Sequence, residues 1–136
     1  MYFTDSPTQC IEKFAYDPLT GDVDLSKGEV FFKSPIKDAV PDGHCTDAEG
    51  CFWIALFHGG KVVRVNTKGE IIAEVELPTR CPSCPGICGE DLYITSAEEE
   101  DPDNHPDSVK YQGAVFKVHI GVGPSTLNEF KMQAKA

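Results

Sequence analysis

The sequence predicts an all-β protein, a partial β-propeller with about three four-stranded antiparallel blades in a single domain over residues 1–136. The order strand, polar tip, strand, turn and strand recurs three times along the chain. One strand of each copy carries an aromatic residue, Tyr2, Trp53 or Tyr93, and these stand about 40 to 50 residues apart, as in propeller blades. No helical periodicity persists for more than one turn before residue 127.

The first copy begins with a strand at residues 1–4, a polar tip at 5–9 and a second strand from Ile11 to Tyr16. A turn at 17–22 follows, in which Pro18 presets φ and Gly21 supplies a positive φ, and a third strand runs over 29–33. Because the first strand has no turn or lead-in before it, we expect polypeptide upstream of Met1.

The second copy contains the densest signal in the sequence, the stretch 40–56, which combines an Asp-Gly pair, a second turn at 47–50 and an aromatic strand at 51–56. Its remaining elements are a tip at 57–60, a strand at 61–65, a turn at 66–69 and a strand at 70–77.

The third copy has strands at 92–96 and 113–118, separated by a long acidic insertion at 97–111. The run 98–103 lacks the alternating ligands of a calcium loop, so we expect a solvated surface insertion rather than a loose calcium site. Residues 127–136 have the composition of a loose tail or a short helix.

The excess of acidic over basic residues limits the classes of molecule that the protein can bind. The formal net charge is −10, from 22 acidic and 12 basic residues, and it repels phosphate backbones and anionic lipid while favouring cations. No apolar run approaches the about 18 residues of a membrane span, and the N-terminus lacks a signal peptide pattern. We therefore expect an intracellular, cytoplasmic protein with no nucleic-acid or membrane partner, whose six cysteines stay reduced.

Three blades do not close a ring. A half ring leaves two blade faces with unburied apolar surface, so the chain is expected either to belong to a longer polypeptide or to self-associate through its exposed blade edges.

Short segments in a fixed order carry a resemblance to a known family. The chain resembles the senescence marker protein, regucalcin and gluconolactonase family, and looks like the C-terminal half of its members. The matching segments are residues 17–21, 40–43, 47–55, 59–64, 76–78, 83–84, 92–97 and 113–118. The resemblance implies a six-bladed propeller that holds one divalent metal ion on its axis and hydrolyses sugar lactones.

The family holds its metal with a glutamate of the first blade, an asparagine midway along the chain and the aspartate of a Pro-Asp-Gly turn. Only the aspartate has a counterpart here, Asp42, which the resemblance makes both metal ligand and general base. The family's asparagine would fall roughly a dozen residues before Met1, and its substrate-contacting arginine and asparagine lie further upstream.

The chemistry suits Asp42 independently of any family. A carboxylate is a hard ligand for Ca²⁺, Mg²⁺ or Mn²⁺, is acceptable to Zn²⁺, and can accept a proton from an attacking water. The competing interpretation is that Asp42 and Gly43 only form a tight turn.

Four further residues are candidates for lining the site or supporting the metal ligand. His44 could ligate a metal or carry a proton, or could simply point off a strand. Asp5 could support the metal ligand, although an Asx turn that ends its strand is the simpler role. Ser83 and Cys84 occupy the family's short turn that faces the central funnel.

The wider run 81–88 has three cysteines, but the remaining Cys10, Cys45 and Cys51 do not supply the second pair that a structural zinc site needs.

Two functions follow. The first is a metal-dependent sugar lactonase, with little activity expected from these 136 residues alone because two metal ligands have no counterpart. The second is a half-propeller without catalysis that binds calcium or a partner protein.

Overall fold

Three antiparallel sheets, stacked face to face, form the structure. It is a computed structural model, which describes residues 1–126; the predicted tail at 127–136 lies outside them. Sheet 1 has the strand order β1-β2-β3, sheet 2 the order β4-β5-β6-β7, and sheet 3 the order β10-β9-β8. The strands are β1 Tyr2–Asp5, β2 Cys10–Tyr16, β3 Val23–Lys33, β4 Val40–Thr46, β5 Phe52–Phe57, β6 Lys61–Val65, β7 Ile71–Glu76, β8 Pro82–Cys88, β9 Asp91–Ser96 and β10 Val115–His119.

The all-β prediction is confirmed, with one difference in strand number: within residues 1–126 the two outer sheets have three strands each, and only sheet 2 has four. The helical elements are a 3₁₀ turn at Ser6–Thr8 and the one-turn helix α1, Pro106–Val109. No described helix has the length and apolar character required to cross a membrane.

β4 and β8 are strands where the sequence predicted turns. Each is an edge strand of its sheet, and each has a proline near its start, Pro41 and Pro82. An edge strand tolerates proline because one side of its backbone makes no ladder hydrogen bonds. The pairing register of both strands slips once, between Pro41 and His44 and between Pro82 and Cys84, which marks a β-bulge in each.

Sheet 2 lies between the other two sheets, and β5 is therefore apolar on both faces. Phe52, Ile54 and Leu56 pack with Ile11 and Phe32 of sheet 1. The alternate residues of β5, Trp53 and Ala55, pack with Leu92 and Ile94 of sheet 3. This explains why the predicted strand at 51–56 reads as a continuous apolar run rather than as an alternating one.

A buried carboxylate fixes the start of β5. Asp47 is completely buried and accepts hydrogen bonds from the backbone N–H groups of Glu49 and Cys51, each at 3.0 Å. It also accepts one from Trp53 Nε1 at 3.1 Å and pairs with Arg64, whose Nε lies at 2.8 Å. The predicted turn at 47–50 is therefore tied to strands β5 and β6 by one side chain.

The acidic insertion is anchored rather than wholly solvated. Glu99 is buried, and Arg80 Nη1 donates to its Oε1 at 2.9 Å. The hydroxyl of Ser108, the buried residue of α1, accepts from the backbone N–H of Arg80 at 2.9 Å. The prediction of a fully solvated insertion was wrong at Glu99, because the Arg80 guanidinium compensates a carboxylate that leaves water.

Candidate functional site

Asp42 lies in the bulge of β4 and not in a hairpin turn. Pro41 pairs with Leu56 and His44 with Ile54, so Asp42 and Gly43 together stand opposite one residue, Ala55. A bulge re-aims the side chain of the extra residue. The half-buried Asp42 carboxylate is thereby presented on the edge strand of sheet 2, beside the edge strand β8 of sheet 3.

Gly43 lets these two edge strands approach closely. A Cβ atom built on Gly43 would lie 2.7 Å from Cys84 Sγ and 2.7 Å from the Ser83 carbonyl oxygen, distances that real Cβ atoms do not reach. The bulge of β4 thus rests directly on the bulge of β8. This contact brings the predicted site residues Asp42, Ser83 and Cys84 together.

The Asp42 carboxylate and the Cys84 thiol influence each other. Burial raises the pKa of the Asp42 carboxyl above its ordinary value, and the hydrogen bond from the Gly43 N–H partly opposes this shift. The Cys84 residue is exposed overall, but its sulfur is partly covered where it meets Gly43; this local burial raises the pKa of the thiol, and the nearby Asp42 carboxylate raises it further. Both groups consequently favour their protonated forms more than they would in water.

Ser83 and Cys84 are held by β9. The hydroxyls of Ser83 and Thr95 are 2.8 Å apart, and Thr95 Oγ1 also donates to the Cys84 carbonyl oxygen at 3.2 Å. Thr95 stands two residues before the acidic insertion begins, so the insertion leaves sheet 3 at the same end as Asp42.

His44 faces sheet 1. Its Nδ1 lies 3.3 Å from Thr4 Oγ1, and its ring centroid is 5.6 Å from that of Phe52. Burial lowers the pKa of this imidazole, which favours the neutral ring at neutral pH. The Ser6 hydroxyl donates to the Pro41 carbonyl oxygen at 2.8 Å and so fixes the strand next to Asp42.

The side chain of Asp5 lies on the opposite face of β1 from that of Thr4. It precedes the 3₁₀ turn and makes no side-chain capping hydrogen bond; its backbone carbonyl accepts from Thr8 Oγ1 at 2.9 Å. Because successive side chains of a strand point to opposite faces, Asp5 does not share the face on which Thr4 meets His44.

The sequence predicts that Thr4 and Ser6 end the first strand at the same axial end as Asp42, but it gave no role to Thr95 and did not reveal that these three hydroxyls fix His44, Pro41 and Cys84. Thr4 and Thr95 occupy the same position in their copies, two residues after Tyr2 and Tyr93. That shared offset was the signal that could have identified them.

Among residues 1–126, no three His, Cys, Asp or Glu side chains converge in a way that could hold a metal ion. At the two bulges the hard oxygen donor is Asp42, whereas Cys84 offers a soft sulfur. The donor set therefore fits one ligand of a divalent metal site. The run 81–88 does not converge either, since Cys81 faces Glu99, with Sγ 4.0 Å from Oε2, while Cys84 and Cys88 are exposed.

We expect Asp42→Asn to increase the alkylation rate of Cys84 severalfold at pH 8. Removing the carboxylate charge lowers the pKa of the thiol, so a larger fraction is the reactive thiolate. The rate is measured by iodoacetamide labelling and peptide mass spectrometry. Exposed Cys88 is the internal reference, and Asp38→Asn, at an exposed aspartate, is the control. An unchanged Cys84 rate in Asp42→Asn would show that the two groups do not interact.

Comparison with known proteins identifies the family. Residues 1–98 match the family described as the SMP-30/Gluconolactonase/LRE-like region. The chain is 41% identical over 100 residues to regucalcin of Danio rerio, covering 71% of this chain and 33% of that protein. It is 39% identical over 85 residues to 6-deoxy-6-sulfogluconolactonase of Pseudomonas putida, covering 60% of this chain and 29% of that protein.

Comparison with solved structures leads to the same family. The crystal structure of a calcium-binding protein, regucalcin of Agrobacterium tumefaciens, superposes with a TM-score of 0.81 at 30% identity, covering 96% of this chain and 45% of that one. This similarity confirms the prediction of a propeller-type all-β fold. The chain spans less than half the length of each of these three proteins. The chain belongs to the SMP-30/gluconolactonase/LRE-like family.

Proposed function

We propose that this protein takes part in the metal-dependent hydrolysis of sugar lactones, with Asp42 as metal ligand and general base. The observation that carries the proposal is the position of Asp42, a half-buried carboxylate presented by a bulge between two edge strands. Membership of a family that includes a lactonase and calcium-binding regucalcin supports it.

The residues of this chain have separate roles in the proposal. The Asp42 carboxylate orients a water molecule and accepts its proton as the water attacks the lactone carbonyl; its raised pKa makes it a stronger base than an exposed aspartate. Ser83 and Cys84, on the facing bulge of β8, offer hydrogen bonds to sugar hydroxyls, and neutral His44, two residues after Asp42, holds the strand against Thr4 of sheet 1. A divalent ion, Ca²⁺, Mg²⁺, Mn²⁺ or Zn²⁺, would polarise the lactone carbonyl when bound.

The proposed compartment is the cytoplasm. The six cysteines are all free thiols, which suits a reducing environment.

The alternative is a half-propeller without catalysis that binds a cation or a partner, and one observation favours its partner-binding form. Within residues 1–126, Asp42 and the other potential metal ligands do not form a group of three that could hold a metal ion. A single carboxylate binds a divalent ion weakly, because such ions take several oxygen ligands.

The test is a pH-indicator assay of gluconolactone hydrolysis at high protein concentration, with each of the four metal ions in turn. We expect a small metal-stimulated rate that falls to the rate of buffer in Asp42→Asn, because loss of a general base costs about 10²- to 10⁴-fold, and that is unchanged in Asp38→Asn. A rate equal to that of buffer with every metal would contradict catalysis by this chain and favour the alternative.

A further inference from the structure

Asp42 stands at the point where sheet 2 itself holds β4 least firmly. The register of β4 against β5 slips between Pro41 and His44, so Asp42 and Gly43 share one partner position. A bulge leaves its extra residue unpaired and interrupts the ladder of hydrogen bonds. The position of the Asp42 carboxylate therefore depends on contacts that come from outside sheet 2.

Sheet 1 supplies such a contact through Ser6. The Ser6 hydroxyl donates to the Pro41 carbonyl oxygen at 2.8 Å, a short hydrogen bond between two sheets. That carbonyl belongs to the planar peptide group that ends at the Asp42 nitrogen, so the bond fixes the plane that leads into the Asp42 backbone. On the other side of the bulge the contact is looser, since His44 Nδ1 lies 3.3 Å from Thr4 Oγ1.

Ser6 is itself firmly held. It begins the 3₁₀ turn Ser6–Thr8, in which the ring of Pro7 restricts the backbone. The Ser6 carbonyl oxygen also accepts from the Gln9 N–H at 2.9 Å. The hydroxyl therefore reaches β4 from a fixed backbone, which is the arrangement required of a group that orients a functional side chain.

The equivalent residues of sheet 2 indicate that the fold does not need this hydroxyl. Tyr2 of β1 and Trp53 of β5 correspond, since each stands opposite a lysine or arginine of the next strand. Ser6 and Phe57 each follow four positions later. β8, like β4, has its bulge directly after a proline, Pro82, although Phe57 has no hydroxyl to donate to it. A bulge of this kind therefore forms without the hydrogen bond.

We propose that Ser6 is a positioning residue for Asp42, which holds the bulge through the Pro41 carbonyl so that the carboxylate can ligate a divalent ion. This inference rests on the proposed role of Asp42 as metal ligand. Groups that orient a ligand raise the affinity for the metal without touching it. Without the hydroxyl, the peptide group between Pro41 and Asp42 is less constrained, and the carboxylate occupies its binding position for less of the time.

The experiment is a titration of the isotope-labelled 136-residue chain with Mn²⁺, measured as paramagnetic broadening of the Gly43 amide signal in NMR spectra. We expect Ser6→Ala to raise the dissociation constant at this position about two- to tenfold, the range that corresponds to one hydrogen bond. Ser6→Thr keeps the hydroxyl and should bind as the wild type does. Asp42→Asn should remove the saturable broadening, which assigns it to the carboxylate.

Thr8→Ala is the matched control. It removes a hydroxyl of the same turn, but one that donates to the Asp5 carbonyl oxygen rather than to β4. We expect its affinity for Mn²⁺ to equal that of the wild type. Urea unfolding of both alanine variants measures their stability separately, because a merely structural role of Ser6 would lower the stability and leave the affinity of the folded chain unchanged.

The possible negative results have different meanings. If the wild type shows no saturable broadening at Gly43, Asp42 does not bind the ion, and the proposed function is overturned together with the role of Ser6. If the wild type binds and Ser6→Ala binds equally well, the role of Ser6 alone is overturned. The same holds if Ser6→Thr fails to restore the affinity, or if Thr8→Ala weakens binding as much as Ser6→Ala.

Discussion

Replacing Asp47 with alanine is expected to lower the free energy of unfolding by about 3–5 kcal/mol, the range for breaking a buried charge pair. The carboxylate is completely buried, and its loss leaves two backbone N–H groups and Trp53 Nε1 without their acceptor. It also leaves Arg64 without its buried partner. Urea unfolding followed by circular dichroism measures the change, since Trp53 fluorescence would report the local loss as well as global unfolding.

The matched control is Glu49→Gln. Glu49 also pairs with Arg64, at 2.7 Å, but its side chain is 66% exposed, so we expect a change below about 1 kcal/mol. If Asp47→Ala cost no more than Glu49→Gln, the network around Asp47 would not stabilise the start of β5.

The second large effect is expected from Gly69→Ala, about 2–4 kcal/mol for left-handed strain plus overpacking. Gly69 has a φ of +85°, and a Cβ atom there would clash with the Phe31 carbonyl oxygen of sheet 1. The turn at 66–69 would have to withdraw from β3, separating sheet 2 from sheet 1 at that point. Thermal and urea unfolding measure the loss.

Gly21→Ala separates the two contributions to that loss. Gly21 has a φ of +81° with no neighbouring atom within 4 Å of the added Cβ, so its replacement adds only left-handed strain, about 1–2 kcal/mol. Equal losses in the two variants would mean that the contact with Phe31 adds nothing.

The sequence predicted those strands that a short local residue pattern is enough to determine. Apolar and aromatic runs bounded by turn residues located β5, β6 and β9, and the spacing of Tyr2, Trp53 and Tyr93 revealed the repeat. β4 was read as a turn because its proline and glycine are turn formers in isolation, and residues 83–84 of β8 were read as a turn because the family resemblance implies one there. Their strand conformation depends on lying at the edge of a sheet, and edge position is a property of the assembled fold.

The site was predictable in its residue types but not in its geometry. Asp42, Ser83 and Cys84 were candidates from the sequence, and their proximity depends on two bulges that face each other and on Gly43 between them. Glu99 could not be distinguished from its acidic neighbours, since its burial depends on Arg80, 19 positions away. Local sequence carries little information about such pairings.

The position of β5 has a consequence for folding. Its two faces belong to two different hydrophobic clusters, so disorder in this one strand removes the packing surface of both outer sheets at once. Sheets 1 and 3 are each local meanders that form from neighbouring hairpins. Within the described chain, the only sheet on which either of them packs is sheet 2. The three sheets therefore fold cooperatively. When β5 unfolds, the two outer sheets lose their packing and unfold with it rather than as independent units.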